Sequence, residues 1–299
     1  MNKFGAFVKA ARLRTLPLSV SGIVAGGALA FKQGIFHPWI FVLSLLVTLS
    51  LQVLSNFAND YGDGVKGTDK KRTGEQRLVA SGIISPGGMK KAVIASAAVS
   101  FLLGLALIFA AFGWEDAAYL LIFAVLGVGA IAAAIKYTVG KGAFGYSGHG
   151  DLFVFLFFGL VSVMGSFFLY AKELQLVALL PACIIGFLST AVLNLNNMRD
   201  LRTDKKSKKF TVAVKLGARK ARFYHFALIA SAFVLALIYA FTYSENPSEW
   251  LFLIAFVPLF IHLKKVAGTE DLEKLDPELK KVALSTFLFA LLLGLGYLL

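Results

Sequence analysis

The sequence predicts an all-α membrane protein: a bundle of nine transmembrane helices around a central cavity, with its N-terminus on the cytoplasmic side. Hydrophobic residues make up 58% of the 299 residues, and the mean hydropathy is +0.76, whereas soluble domains are about 45–50% apolar. The apolar residues form blocks long enough to cross a bilayer, which takes roughly 20 residues each. The basic residues fall on alternate loops between these blocks. Together these observations exclude a soluble domain.

The nine predicted spans follow the apolar blocks. They cover about residues 15–35, 38–59, 92–112, 117–136, 151–171, 175–196, 223–243, 249–263 and 282–299. The stretches "GIVAGGALA" and "LGVGAIAAA" are rich in small residues, which predicts close helix packing in both. No linker separates a second domain, so residues 1–299 are predicted to form one transmembrane domain. The first block resembles a signal peptide, but we expect it to remain as an uncleaved span.

The positive charge predicts the orientation. The N-terminus and the loops at 61–91, 136–150, 197–222 and 264–281 hold 28 of the 30 Lys and Arg residues. The basic side of a membrane protein is normally cytoplasmic. No basic module stands apart from the spans, so the net charge of +13 does not indicate a nucleic-acid partner. Membrane lipid headgroups and an anionic substrate are the expected partners.

Two of the basic loops resemble each other. "NDYGDGVKG" aligns with "NNMRDLRTD", which places Asn59 against Asn196 and Asp63 against Asp200 at a constant offset of 137 residues. Each copy follows an even-numbered span, so both emerge on the same face of the membrane. Internal repeats in membrane proteins tend to form a binding site where they meet. The third long loop, 264–281, is predicted to be a solvated helical connector.

The acidic residues of the two copies need compensation. Asp60 and Asp63 share a helix face, as do Asp200 and Asp204. Their charges repel each other and also face the negative end of the helix dipole. One interpretation is a set of headgroup-level charges neutralised in pairs by nearby Lys and Arg. The two copies are in register on one face, which favours a second interpretation. In it, the carboxylates hold Mg²⁺, the Mg²⁺ binds phosphate oxygens, and basic side chains bind the rest of a diphosphate.

Four stretches of the sequence carry a resemblance to a known family. They are "RLRTLPLSVSGIVAGGALA", "LSNFANDYGDGVKGTDKK", "KYTVGKGAFGYSGHGDLFVFLFFGLVSVMG" and "NNMRDLRTDKKSKKFTVAVKLG". In this order they resemble the UbiA superfamily of intramembrane prenyltransferases, and most of all its MenA-type branch, the 1,4-dihydroxy-2-naphthoate polyprenyltransferases. The wider superfamily often has Asp at the position of Gly67. The MenA-type branch has it two residues later, as this chain does at Asp69.

The resemblance implies a site and a reaction. The implied metal ligands are Asn59, Asp60, Asp63, Asp69, Asp200 and Asp204, of which Asp60, Asp63, Asp200 and Asp204 are the catalytic residues. The implied diphosphate-binding residues are Tyr137, Lys141, Arg72, Arg77 and Lys205. The implied cofactor is Mg²⁺, and the implied substrates are a polyprenyl diphosphate and 1,4-dihydroxy-2-naphthoate. The expected location is the bacterial cytoplasmic (inner) membrane, with the active site facing the cytoplasm.

Alternatives remain at this stage. Another aromatic acceptor, such as 4-hydroxybenzoate or homogentisate, fits the same motifs. A secondary transporter also combines repeats with membrane acids, but transporter sites lie near the midplane, and none of the predicted spans carries an acid there.

Asp151, at the start of the fifth span, has two interpretations: an acceptor-site residue, or a charge that suits a helix N-terminus. The 28 Phe residues do not identify an aromatic cage.

Overall fold

The computed structural model describes residues 2–67 and 77–299, and this part of the chain folds as a helical bundle. Nine of its helical segments are long and apolar enough to span a membrane, which confirms the predicted fold class. The helices are α1 (Lys3–Ala11), α2 (Leu16–Lys32), α3 (Pro38–Lys66), α4 (Pro86–Phe112), α5 (Ala117–Lys136), α6 (Gly150–Ala171), α7 (Leu179–Arg199), α8 (Leu201–Lys206), α9 (Val212–Tyr243), α10 (Phe256–Gly268) and α11 (Asp276–Leu298). The middle of α6, Phe155–Gly165, is π-helical.

Several boundaries differ from the predicted ones. The first span begins earlier, because α1 and α2 together cover Phe4–Lys32. The loop predicted at 197–222 is mostly helical, since α8 follows α7 directly and Thr211 caps α9 by accepting a hydrogen bond from the amide of Val214. The eighth span, Pro247–Gly268, starts with 3₁₀ helix. Apolar blocks therefore locate the spans, while capping residues decide where the helices start.

The predicted solvated connector at 264–281 is partly wrong. Its second half is the start of α11, and Glu278 is buried there. The Glu278 carboxylate lies 2.8 Å from Nδ1 of His262 and 2.5 Å from Nζ of Lys281. Nε2 of His262 in turn lies 2.8 Å from Nε2 of His225 on α9. Polar side chains on three helices thus fix this end of α11 inside the bundle.

The bundle has two packed groups of helices. One core contains buried residues of α2, α6, α7, α9, α10 and α11. The other contains buried residues of α1, α3, the turn at 78–84 and α4. Helix α2 contacts α3, α6 and α11, and therefore joins the two groups. The site described below lies between them.

The described spans alternate in direction, so the N-terminal segment and the described parts of the four basic loops lie at one end of the bundle, which we call the basic end. Both α3 and α7 finish there. The two remaining basic residues lie at the opposite end and each pairs with an acid. Lys32 lies 2.7 Å from Glu249, and Lys172 lies 2.9 Å from Asp116. The chain is an integral membrane protein, and the orientation of its basic end stays a prediction.

Small residues determine how closely α2 and α6 approach. A Cβ atom on Gly22 would lie 2.1 Å from Oγ of Ser162, and one on Gly26 would lie 2.0 Å from Oγ of Ser166. The predicted close packing of "GIVAGGALA" is confirmed. The prediction for "LGVGAIAAA" is wrong at its glycines, because a Cβ atom on Gly129 would meet nothing within 4 Å.

We predict that Gly26→Val destabilises the bundle, because valine carbons would overlap Ser166 and the α6 backbone. Overpacking of this kind costs about 1–3 kcal/mol. The free energy of unfolding can be measured by SDS titration in mixed micelles. The matched control is Gly129→Val, at the open position on α5. Equal stability of the two variants would contradict the α2–α6 contact.

Candidate active site

A cavity of about 1100 Å³ opens between the two groups of helices at the basic end. Its polar part is lined by Arg12, Arg14, Gln52, Asn56, Asn59, Asp63, Arg77, Tyr137, Asn196, Asn197, Lys209, Asp276 and Lys280. Its apolar part is lined by residues that include Leu18, Val47, Leu107, Ile122, Phe123, Leu126, Phe153, Phe157, Phe158, Val161 and Phe168. Both repeat copies contribute to the polar part, through Asn59 and Asp63 in the first and Asn196 and Asn197 in the second. Both motif regions therefore line one cavity, and the assignment of their acids to one site stays a prediction.

Asp63, near the end of α3, faces the cavity although its side chain is buried. Its Oδ1 atom accepts a hydrogen bond of 2.5 Å from the hydroxyl of Tyr146, and Arg77 Nη2 lies 3.4 Å from its Oδ2. Tyr146 belongs to the 3₁₀ turn Phe144–Tyr146 between α5 and α6. Three chain segments therefore meet at one carboxylate.

Asp60, one turn earlier on α3, binds the backbone amides of the segment that follows Arg77. Its two carboxylate oxygens accept hydrogen bonds of 3.0 Å each from the amides of Leu78 and Val79. These bonds fix the turn that follows Arg77 and so place Arg77 beside Asp63. Asp60 thus has a visible structural role, and its role as a metal ligand stays a prediction.

The second motif is organised by Arg199, at the end of α7. Its Nε and Nη2 atoms each donate a 2.7 Å hydrogen bond to Asp200, while Nη1 donates one of 2.5 Å to Asp276 on α11. Asp200 lies at the junction of α7 and α8, and its carbonyl accepts a 2.8 Å hydrogen bond from the amide of Asp204. Asp200 and Asp204 are therefore joined by one helical turn, and Arg199 neutralises the charge of Asp200.

Tyr137 lies between the two motifs. It follows α5, is buried, and lines the cavity. Burial raises the pKa of its phenol above the usual range, and the negative charges of Asp151, Asp63 and Asp204 raise it further. Tyr137 is therefore protonated at neutral pH and can donate a hydrogen bond to an anion in the cavity.

Aromatic rings continue from Tyr137 into the apolar part of the cavity. The ring of Phe144 lies edge-to-face with Tyr137 at 5.3 Å, and Phe153 stacks on Phe144 at 4.0 Å. Phe157 follows at 6.1 Å from Phe153, with the two rings nearly parallel. The sequence did not distinguish these rings from lipid-facing Phe, whereas the structure places them along one wall. This row, Tyr137–Phe144–Phe153–Phe157, is called the aromatic ladder below.

Part of the cavity lining is loosely packed. Helix α5 packs against α3 and α4. Two of its lining residues, Ile122 and Leu126, are 51% and 54% exposed. Val161 on α6, which also lines the cavity, is 47% exposed. The apolar part of the cavity therefore contains side chains that the protein itself covers only by half.

Some predicted site residues are not brought to the cavity. Asp60, Asp200 and Asp204 are buried but do not line the cavity. Lys141 and Lys205 are exposed and also lie outside its lining. Asp69 and Arg72 fall in the stretch 68–76, outside the described residues. Asp151 is buried in the first turn of α6 and does not line the cavity. This position favours the structural interpretation of Asp151.

The structure also adds residues that sequence reasoning missed. Tyr146, Lys209 and Asp276 all reach the polar end of the site from other loops or helices. The sequence offers a weak signal for Tyr146, an aromatic residue between loop glycines in "FGYSG". It offers none for Asp276, which sits in a segment of mixed charge.

The polar end has the donor chemistry that Mg²⁺ prefers, since Asp and Asn supply oxygen ligands. A carboxylate offers about four acceptor sites, so hydrogen bonds from protein and coordination of a cation are compatible on one group. Across residues 2–67 and 77–299, no three His, Cys, Asp or Glu side chains converge as a complete metal site. Mg²⁺ typically takes one or two carboxylates and completes its shell with water and phosphate oxygens. The residues present therefore fit a magnesium ion that arrives with a phosphate ligand.

Comparison with known proteins places the chain in a family. The structure defines a helical membrane bundle in which two acidic motif regions lie beside a cavity with an apolar part. The model of the UbiA prenyltransferase family matches residues 19–297, and the chain belongs to this family. The predicted resemblance is confirmed.

Relatives that match almost the whole chain share one description. The 1,4-dihydroxy-2-naphthoate octaprenyltransferase of Escherichia coli (strain K12) is 40% identical over 97% of this chain and 94% of its own length. The 1,4-dihydroxy-2-naphthoate octaprenyltransferase of Haemophilus influenzae (strain ATCC 51907 / DSM 11121 / KW20 / Rd) is 41% identical over 96% of this chain and 94% of its own. These relatives are of the MenA type that the motifs predict.

Solved structures share the fold. A UbiA homologue from Archaeoglobus fulgidus bound to GPP and Mg²⁺ superimposes with a TM-score of 0.66 at 18% identity, over 98% of each chain. The apo structure of a UbiA homologue from Aeropyrum pernix K1 gives 0.68 at 14% identity, over 92% of this chain and 97% of the homologue. At these identities the likeness concerns the fold.

We predict that Arg199→Gln lowers stability, because it leaves Asp200 and Asp276 without the guanidinium that joins them. Loss of one partner of a buried ion pair costs about 3–5 kcal/mol. SDS titration measures the free energy of unfolding. The control is Arg202→Gln, an exposed arginine on α8, which we expect to behave like the wild type. If the two variants were equally stable, Arg199 would not be the anchor of this motif.

Proposed function

We propose that this protein transfers a polyprenyl group from a polyprenyl diphosphate to 1,4-dihydroxy-2-naphthoate, with loss of CO₂, in a Mg²⁺-dependent reaction that yields demethylmenaquinone. One observation supports the proposal most strongly. A single cavity joins an end lined by acids, amides and cations to an apolar region lined by aromatic rings. Such a cavity suits a substrate with a charged head and a long apolar tail. The identity of about 40% to naphthoate prenyltransferases supports the acceptor.

The two motifs are proposed to hold the diphosphate through metal. The proposed metal ligands are Asn59, Asp60, Asp63, Asp69, Asp200 and Asp204, with Asp60, Asp63, Asp200 and Asp204 as the catalytic acids. When bound, Mg²⁺ would neutralise the charge that develops on the departing diphosphate. A homologue of the same fold from A. fulgidus is bound to GPP and Mg²⁺, which supports magnesium as the metal.

Basic and hydroxyl groups are proposed to bind the remaining diphosphate oxygens. Arg77 and Tyr137 line the polar end, and both can donate hydrogen bonds that strengthen as the leaving group gains charge. Lys141, Lys205 and Arg72 are kept as further candidates. Lys141 and Lys205 are solvent-exposed, so their part is to meet the diphosphate at the mouth of the cavity.

The difficult step is breaking the bond between C1 of the prenyl chain and the diphosphate oxygen. The electron pair leaves with the diphosphate, and the allylic carbon gains positive charge. The faces of Phe144, Phe153 and Phe157 can stabilise that charge by cation–π attraction. The apolar lining keeps water from the allylic carbon.

The acceptor ring then forms a new C–C bond to the allylic carbon as its carboxylate leaves as CO₂. The acceptor is an anion, and Arg12 and Arg14 supply positive charge on the same cavity. Asn56 holds the segment that carries them, since its side chain donates a 2.8 Å hydrogen bond to the carbonyl of Ala11. This segment precedes α2 and lies beside the first acidic motif.

The proposed setting is the bacterial inner membrane with the basic end in the cytoplasm. The basic loops support this orientation through the positive-inside rule. The diphosphate would stay at the membrane rim while the polyprenyl tail lies among apolar side chains and lipid.

The test is an assay of the purified protein with Mg²⁺, a polyprenyl diphosphate and one acceptor at a time. We expect product with 1,4-dihydroxy-2-naphthoate and far less with 4-hydroxybenzoate or homogentisate, because the naphthoate relatives match nearly the whole chain. EDTA should abolish the reaction and added Mg²⁺ should restore it. Product from another acceptor alone would overturn the acceptor, and product in EDTA would overturn the metal.

We predict that Asp63→Asn and Asp200→Asn each lower turnover by at least about 100-fold, the effect of losing one preorganised electrostatic group. Asn preserves side-chain shape, and Arg199 keeps its second partner Asp276 in Asp200→Asn, so both proteins should remain folded in membranes although Asp200→Asn should be less stable than the wild type. The matched control is Asp116→Asn, which removes an acid of an exposed ion pair at the opposite end. Normal turnover in either site variant would count against the metal assignment.

A further inference from the structure

The loop between α5 and α6 brings one side chain to the first acidic motif. The hydroxyl of Tyr146 donates a 2.5 Å hydrogen bond to Oδ1 of Asp63, although the two residues are 83 positions apart. Asp63 lines the cavity, and the bond fixes one of its two oxygens. Hydrogen bonds of this kind orient metal-binding carboxylates and are often worth about 10–100-fold in metal affinity.

The same loop is tied to the second motif through backbone. The carbonyl of Tyr146 accepts a 2.9 Å hydrogen bond from the amide of Phe210. The neighbouring amide, that of Lys209, donates a 2.9 Å hydrogen bond to the carbonyl of Asp204. Tyr146 thus connects the segment that follows Asp204 to the carboxylate of Asp63.

The ring of Tyr146 carries two cations. Nζ of Lys66 lies 4.1 Å from the ring centroid, and Nζ of Lys209 lies 5.4 Å from it. Both distances are within the range of cation–π attraction. Lys66 is held further by a 2.7 Å hydrogen bond to the carbonyl of Thr138. One ring therefore positions a lysine from each of the two motif regions beside Asp63.

We propose that Tyr146 is a positioning residue that joins the two halves of the diphosphate site. Its hydroxyl sets the direction of the Asp63 carboxylate toward the cation, and its ring aims Lys66 and Lys209 at the diphosphate. Lys66 and Lys209 are then diphosphate-binding residues. This inference rests on the proposed function and deepens it, because it assigns to the same ligand three side chains that are not among the residues proposed above.

The hydroxyl and the ring can be tested separately. Tyr146→Phe removes the hydroxyl and keeps the ring, whereas Tyr146→Leu removes both. The control is Tyr239→Phe, which deletes a buried hydroxyl that is hydrogen-bonded at 2.5 Å to Tyr297 near the opposite end. Binding of inorganic pyrophosphate with Mg²⁺ to the full-length protein in detergent is measured by calorimetry, without any prenyl acceptor.

We expect Tyr146→Phe to weaken pyrophosphate binding about tenfold and to raise the Mg²⁺ concentration for half-maximal turnover. Saturating Mg²⁺ should restore its turnover, because the ligand set remains. Tyr146→Leu should bind more weakly still, and the added loss should persist at saturating Mg²⁺ because the lysines are no longer aimed. Tyr239→Phe should bind like the wild type.

Two results would overturn the inference while leaving the proposed function intact. One is that Tyr146→Phe binds pyrophosphate with wild-type affinity. The other is that it binds pyrophosphate more tightly, which would mean that the hydroxyl competes with the metal for Asp63. A wild-type protein that binds no pyrophosphate with Mg²⁺ would overturn the proposed function and this inference together. A change of acceptor leaves the measurement unaffected.

Discussion

Compensation of buried acidic charge is the constraint on which the site depends. Asp60, Asp63 and Asp200 are all buried where two helices end, and helix C-termini already carry partial negative charge. Each of these acids is therefore held by donors: backbone amides for Asp60, Tyr146 and Arg77 for Asp63, and Arg199 for Asp200. These contacts place the loops around the cavity. The polar architecture of the basic end is thus a consequence of keeping acids in a membrane protein.

The same compensation joins distant parts of the chain. Arg199 extends the second motif to Asp276, and so α11 becomes part of the site. The start of α11 is in turn held by Glu278 through His262. The outer helices therefore do more than enclose the cavity, since their ends set the positions of charged groups inside it. This explains why a site built on two short motifs needs most of the bundle.

Much of this could be predicted from the sequence, for identifiable reasons. Hydropathy predicts the spans because roughly 20 apolar residues are needed to cross the bilayer. The repeat predicts that its two copies lie at the same end of the bundle, because alternating spans return to the same face. The contacts of Tyr146 were not predictable, because they join residues 83 positions apart and leave no periodic pattern. The two small-residue stretches look alike, yet Gly26 packs tightly and Gly129 meets open space, since only the fold decides what faces a glycine.

The loose packing of α5 has a consequence for the substrate. Ile122 and Leu126 border the cavity while remaining half exposed, so acyl chains of a surrounding bilayer would complete that wall wherever it opens to lipid. A prenyl tail threading past α5 would meet a fluid boundary and no rigid end stop. Selection of isoprenoid length would then fall to the enzyme that makes the diphosphate, and bilayer thickness or acyl-chain order would act as part of the binding pocket.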